Sequence, residues 1–389
     1  MVTTQTADSV LKSYYLNVVS DQLDKGVNPF LAMIKKTTSD VWGRDVRKAV
    51  RIGVNGGIGA GTEDGQLPTA SGNNYAQFVS TLKNLYGTIE ISDKAIRASA
   101  NSEGAFVNLL NDEMESLVKS SSFNFGRMLF GDGSGKLANV TSGTIEGVLN
   151  VDTIQNLAEG MVIDIYNSSN SILEEGRTIL KIDRNTKQVT FSGEKIDIAT
   201  MANTHLVLHG SRDLEITGLG AIFSTNDIYG LSRSANPWTK PYTVSKAGKI
   251  SEVTILEAID KIEQNTGGKI NVLLCSHEVR RYIYSLLAAK GCITGVELEG
   301  GYKTISINGI PVIADRFCPA DRLYLLNTDD FALHQLCDWQ WLEGEDGKVL
   351  KQVAGKPVYT ATLVKYAELM CYHPGAQGML AGITGAALE

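Results

Sequence analysis

Two stretches of alternating residues flank a glycine-rich gap. VRKAVRIGV, Val46–Val54, alternates apolar and polar side chains, and AQFVSTLKNLYGTIEIS, Ala76–Ser92, does so again. Alternation at period two is the signature of a half-buried strand. Between the two runs lies a loop of glycine and small polar residues that includes Gly56, Gly57, Gly59, Gly61 and Gly65. The simplest geometry is a long two-stranded hairpin with a large tip. An isolated two-stranded ribbon is marginal in water, so this one must lean on another surface. That requirement constrains the fold more than any other part of the chain.

The glycines do not form a phosphate cradle. A dinucleotide fingerprint needs G-x-G-x-x-G opening a helix, but Thr62 and Asp64 occupy the positions where the third glycine would fall. A strand pattern follows instead of a helix, and Glu63 and Asp64 would repel phosphate. GDGSGK, Gly131–Lys136, also fails as a nucleotide loop. The motif needs Gly and Ser/Thr where Phe130 and Leu137 stand, and the segment ends a helix instead of starting one.

The helix it ends is the strongest in the chain. From Glu103 to Gly133, Phe106, Leu109, Leu110, Met114, Leu117 and Val118 recur at i, i+3, i+4 spacing. Ser102 is a candidate N-cap, the run weakens at Ser120–Ser122, and Gly131 and Gly133 stop it. A second amphipathic pattern at residues 8–36, with Leu11, Tyr15, Val18, Val19 and Leu23, reads as an N-terminal arm. Residues 138–215 are β-patterned with turn residues between the runs, as in a small barrel or sandwich of about five or six strands. Beyond 250 helices and strands mix. Ser251 caps a helix, INVLLCS is a buried strand, and HEVRRYIYSLLAA is a helix. Strands flank Gly309, and VYTATLVKYAELMC is a long strand.

Charge and composition narrow the function. The chain has 36 basic and 43 acidic residues, a net charge of −7, without the basic excess of a tight nucleic-acid binder. MVTTQTADSV lacks the basic and apolar regions of a signal peptide. No run approaches the roughly 18 apolar residues of a membrane span. The five cysteines form no CxxC pair and suit free thiols.

No catalytic constellation emerges. His205 and His209 are four apart on a strand pattern, which separates them by about 13 Å. Cys275 and His277 lie close in sequence, but Cys275 sits on an apolar strand, where a thiol is normally inert. Trp339 and Trp341 share one face of a strand with acidic neighbours, which favours a buried or subunit-contacting stripe over a base-stacking platform. No cofactor or metal is expected.

The order of parts resembles the major capsid proteins of tailed bacteriophages, which have the HK97 fold. NLYGTIEISDKAIRAS is similar to the family's passage from extended loop (E-loop) to spine helix. FVNLLNDEMESLVKSSSFNFGRMLFGDGSG resembles the spine helix and its glycine turn. INGIPVIADRFCPADRLYLLNTDDFAL resembles the axial-domain strand pair, and AELMCYHPGA the late peripheral-domain strand. The resemblance implies an α+β, HK97-like capsid fold with an inserted small all-β domain. Its parts are an N-terminal arm (1–43), an E-loop hairpin (44–92), a peripheral (P) domain (93–137), the insertion (138–215), an axial (A) domain (216–350), and a C-terminal strand and tail (351–389). It implies self-assembly as pentamers and hexamers into an icosahedral shell in the virion, built in the host cytoplasm. A separate scaffolding protein and a portal are implied partners, with packaged double-stranded DNA enclosed without specific binding and no membrane. Arg44, Arg47, Lys48, Arg51, Glu63, Asp64, Trp339 and Trp341 are the expected intersubunit contacts. The alternatives are an encapsulin-like compartment shell and a soluble α/β enzyme.

Overall fold

The computed structural model describes residues 28–94, 103–145, 147–193, 204–289, 295–297, 303–344, 347 and 349–387. Most of the expected arm, residues 8–27, lies outside that set, as do Ser102 and Cys292.

The ribbon forms as the alternation requires. β1 (Asp45–Ile52) and β2 (Asn74–Thr81) pair antiparallel along their whole length, from Asp45 opposite Thr81 to Ile52 opposite Asn74. The second alternating run, however, is not one strand. It breaks at Leu82, whose N–H donates to the Arg44 carbonyl at 2.8 Å, and β3 (Lys83–Ser92) leaves the ribbon. β3 pairs instead with the long strand Val358–Cys371, from Ser92 opposite Val358 to Lys83 opposite Ala367. Alternation reports which face is buried, not which strand is the neighbour, so the two partners cannot be told apart in the sequence.

α1 (Glu103–Met128) is continuous through the serine run and packs across β3, burying Met114, Val118, Phe125 and Met128. Ser121 and Ser122 are buried too. The helix passes closest to β3 at Gly87, where a methyl group would lie 2.9 Å from Leu117 and 3.0 Å from Ser121. The strand side of the contact therefore has no room for a side chain. Gly131 and the left-handed Gly133 (φ 89°) then end the turn that follows the helix.

A closed barrel follows. Its strands are β4 (Lys136–Ile145), β5 (Val148–Val151), β6 (Val162–Tyr166), β7 (Ile172–Asp183), β8 (Gln188–Phe191) and β9 (His205–Leu208). They close in the order β8-β5-β4-β9-β6-β7. Leu149, Ile163, Ile165, Ile179, Val189 and Leu206 fill it with a core of its own. Closure leaves no free edge.

The remaining chain builds two sheets. In a seven-stranded sheet, β10 (Val272–Cys275) lies at the centre, between β11 (Ile310–Ala314), parallel to it, and β12 (Leu323–Leu326), antiparallel. All four residues of β10 are buried. Val272 and Leu274 join the main core with α1. Leu273 and Cys275 join the core under α2 (Glu252–Thr266) and α3 (His277–Ala289). A strand covered on both faces reads as an unbroken apolar run. Ser251 Oγ caps α2 by accepting the Thr254 N–H at 3.1 Å. Asn308 (φ 50°) and Gly309 (φ 79°) make the two-residue turn before β11. The five-stranded sheet has β13 (Phe331–Trp341) and β14 (Val358–Cys371) at its centre, with β3 beside β14.

Candidate subunit interface

The ribbon is fixed at its root and uncovered at its tip. At the root Val46, Val50 and Phe78 are buried. Phe78 stacks on Trp238 (5.7 Å, 13°) and meets Tyr229 at 5.2 Å. Tyr229 holds the ribbon through its carbonyl, which accepts the Val79 N–H at 3.0 Å, and holds β14 through its hydroxyl, which accepts the Cys371 N–H at 2.9 Å. Beneath this loop Arg233 is buried. Its guanidinium donates to the carbonyl oxygens of Asn226, Thr239 and Ile222 at 2.6 Å each. Those bonds clamp the segment that carries Tyr229.

Past Val50 no other described residue of the chain packs over the ribbon as a core. Residues 53–73 form no strand ladder. Their order comes from local turns: Asn55 Oδ1 accepts the Gly57 N–H at 2.8 Å, and the Thr62 carbonyl accepts the Gly65 N–H at 3.1 Å. Among the described residues the four most exposed large apolar side chains all belong to this element: Leu67 (89%), Val54 (81%), Ile58 (77%) and Trp42 (72%) at its foot. Exposed apolar side chains concentrated in one segment make it a candidate docking element. The sequence held the signal for it, since Val54, Ile58 and Leu67 are isolated apolar residues in a tract otherwise built to be soluble.

The expected charged contacts divide. Lys48 is engaged within the chain, 2.6 Å from Asp40, and Arg47 and Arg44 lie 3.5 and 3.7 Å from Asp45. Arg51, Glu63 and Asp64 are exposed and make no ion pair with another described residue. Trp339 and Trp341 do not reach the surface. They are 7% and 5% exposed in the chain's own core, so the buried alternative holds and the subunit-contacting one gives way. Phe125 packs edge-on to Trp339. The Lys365 ammonium lies 5.3 Å from the Phe125 ring, 2.5 Å from Asp338 Oδ1 and 3.0 Å from Gln335 Oε1. Burial pushes the Asp338 carboxyl up, but Lys365 and Lys36 outweigh it and hold the group below the usual carboxylate range.

The candidate chemical residues are occupied structurally. Burial pushes the Cys275 thiol up to about 12, far from a reactive thiolate. His205 stacks on Tyr166 and contacts Arg212, while His209 Nδ1 lies 2.8 Å from Asp164. In Gly131–Lys136, Asp132 accepts the Ser134 N–H at 3.0 Å, which is turn chemistry. Among the described residues no three of His, Cys, Asp and Glu gather as metal ligands, and no helix is long and apolar enough to cross a membrane.

A projecting ribbon, a long helix packed on a sheet beside its root, and a helix-flanked mixed sheet beyond it define an α+β, HK97-like capsid fold. A chain of the cyanophage A-1(L) capsid asymmetric unit shares it with a TM-score of 0.57 at 12% identity, the match covering 92% of each chain. At that identity the likeness is one of fold. The capsid of Myoviridae phage XM1 (TM-score 0.46, 9% identity, 92% of each chain) also aligns. So does the holo-SrpI encapsulin complex of Synechococcus elongatus (0.45, 11%, 96% of this chain and 98% of that one). No protein-family model and no curated protein matches the sequence.

Proposed function

We propose that this protein is the major capsid protein of a tailed bacteriophage, a structural subunit that assembles as pentamers and hexamers into the icosahedral shell of the virion. The observation that carries the reading is the ribbon, which is anchored at its root and leaves Val54, Ile58 and Leu67 exposed among the described residues. A second copy beneath the tip completes it. Glycines at the tip let one sequence adapt to slightly different neighbours around a shell, because glycine reaches backbone angles other residues avoid.

On this reading the ribbon within the expected 44–92 acts as the E-loop, 93–137 with the C-terminal strand forms the P domain, whose sheet β3 and β13 join, and the rest of 216–350 forms the A domain. Residues 138–215 are an inserted domain. Arg51, Glu63 and Asp64 are left to pair across subunits, at about 0–1 kcal/mol per exposed pair. Contacts that weak allow misplaced subunits to leave during assembly. The net charge of −7 suits a wall that must not hold packaged DNA by its phosphates. Assembly in the host cytoplasm draws on a separate scaffolding protein and a portal, and the role is structural instead of catalytic.

Electron microscopy of the purified chain, alone and with co-expressed scaffolding protein, tests this. Closed shells are expected. A discrete small oligomer under both conditions would overturn it.

A further inference from the structure

We propose that the ribbon tip is a site of spontaneous covalent modification, at which Asn55 closes onto Gly56, loses its amide and becomes an acid. The backbone nitrogen of Gly56 attacks Cγ of Asn55. A new N–Cγ bond replaces the Cγ–Nδ2 bond, and the proton of the Gly56 nitrogen departs with the amide as ammonia. The resulting five-membered imide is opened by one water at either carbonyl. The product is aspartate or its β-linked isomer. Water is the only co-reactant, and nothing is oxidised or reduced.

Three observations place this chemistry at Asn55. Asn55 and Gly56 are both exposed and belong to no strand, so the backbone is free to reach the ring geometry. Gly56 has no Cβ to obstruct the approach. The carboxamide is already folded back over the Gly56 peptide, because Asn55 Oδ1 accepts the Gly57 N–H at 2.8 Å.

The chain contains its own control. Asn-Gly occurs twice in the sequence, the second time as Asn308-Gly309. There the pair is locked in a two-residue hairpin turn at φ 50° and 79°, with Ile307 opposite Ile310 and Ser306 opposite Pro311. Ring closure at Asn308 must leave those angles and strain the ladder. The same dipeptide is thus labile in the tip and protected in the sheet.

The consequence rests on the assembly reading. A new carboxylate joins Glu63 and Asp64 at the tip, and the β-linked product adds a methylene to its backbone. Free subunits age at the contact they need, whereas assembled ones have it covered.

The test is a time course of the purified chain at mildly alkaline pH, read by peptide mapping with mass spectrometry. Acid and β-linked products are expected at Asn55, with conversion at Asn308 about tenfold or more slower, since misplaced reacting atoms cost at least that much. Gly56→Ala should suppress conversion at Asn55. Equal rates at the two sites, or conversion at Asn308 alone, would overturn the proposal. For the consequence, aged and Asn55→Asp subunits should form fewer shells than fresh and Asn55→Gln subunits. If no sample forms shells, the assembly reading fails while the peptide map still decides the modification.

Discussion

Arg127 and Glu215 close the neck of the barrel. They stand 88 residues apart, one on the last turn of α1 and the other just beyond β9. Arg127 Nη1 donates to Glu215 Oε2 at 2.9 Å and Nη2 to Oε1 at 2.5 Å, with both side chains only 2% exposed. The strands of the barrel leave and return between them, so one bidentate pair sets how the barrel is mounted. Gln155 adds a second fixing point, donating to the Cys318 carbonyl at 2.9 Å in the loop before β12.

Removing one partner of that pair leaves a buried charge uncompensated. Glu215→Gln or Arg127→Met should destabilise the chain by about 3–5 kcal/mol, while Arg127→Met combined with Glu215→Leu recovers most of the loss. Denaturant unfolding of the three variants measures it. Equal losses in the single and double variants would mean the pair is not coupled.

Two buried acids make stability depend on pH. Burial pushes the carboxyl of Glu368 up to about 7 and that of Asp315 up to about 6. Glu368 Oε1 accepts the Thr217 N–H at 2.8 Å, and Asp315 Oδ1 accepts the Phe317 N–H at 2.9 Å, while their other oxygens make no close hydrogen bond among the described residues. Each raised acid holds its proton longer in the folded state than in the unfolded one. Stability is then fully present below the unfolded values and is lost as pH rises through the folded ones. For Glu368, a rise from 4.5 to about 7 corresponds to a loss on the order of 3 kcal/mol. The His373–Asp330 pair at 2.6 Å, which raises the imidazole, acts in the same direction. His205, His277 and His334, pushed down chiefly by desolvation, act in the opposite direction, so the readout is the variant: chemical denaturation at about pH 5 and about pH 8 should find that Glu368→Gln loses less stability than the parent as pH rises. A pH dependence unchanged by Glu368→Gln would contradict the assignment.

What the sequence disclosed follows from the range of each signal. The ribbon, α1, the barrel strands and the Ser251 cap rest on patterns within one element, and each formed where its pattern lay. The partner of β3 was hidden because both of its possible neighbours bury the same face. The serines of α1 looked like a weakness in the helix. One of them, Ser121, lies where Gly87 passes the helix, a contact made only by the fold. Arg127–Glu215 and Glu368–Thr217 join segments 88 and 151 residues apart, and no local spacing announces them. Trp339 and Trp341 showed a shared face, but whether that face met its own core or a neighbour depended on the helix laid over it. At the interface the charges were legible by type. The apolar tip residues were equally visible, but they gain meaning only once the ribbon is seen to be uncovered.

Close backbone approach makes Gly218 irreplaceable. A methyl group there would collide with the carbonyl oxygens of Met128, Leu129 and Gly131, where the chain crosses the end of α1 and the Leu219 N–H donates to the Leu129 carbonyl at 2.8 Å. Backbone cannot swing aside as a side chain can, so Gly218→Ala should cost about 1–3 kcal/mol or more. Gly72→Ala, where nothing lies within 4 Å of the built methyl, should be neutral or stabilising by a few tenths. Thermal melts of the two variants separate close approach from a general intolerance of substitution.

The tip separates folding from assembly. Val54, Ile58 and Leu67 bury little area in the free chain, so changing all three to Ser should move its unfolding free energy by no more than about 0.5 kcal/mol. If a neighbour covers them, each contributes up to about 1.5–3 kcal/mol of burial at every contact, repeated around the whole shell. The triple variant should therefore melt like the parent yet yield soluble subunits in place of closed particles, as read by size-exclusion chromatography and electron microscopy. Arg51→Glu should weaken assembly only slightly and in a salt-dependent way, because an exposed pair is small and screened. Shells forming at parental yield from the triple variant would place the contact elsewhere on the subunit. An altered melting temperature would mean instead that the tip packs on its own chain.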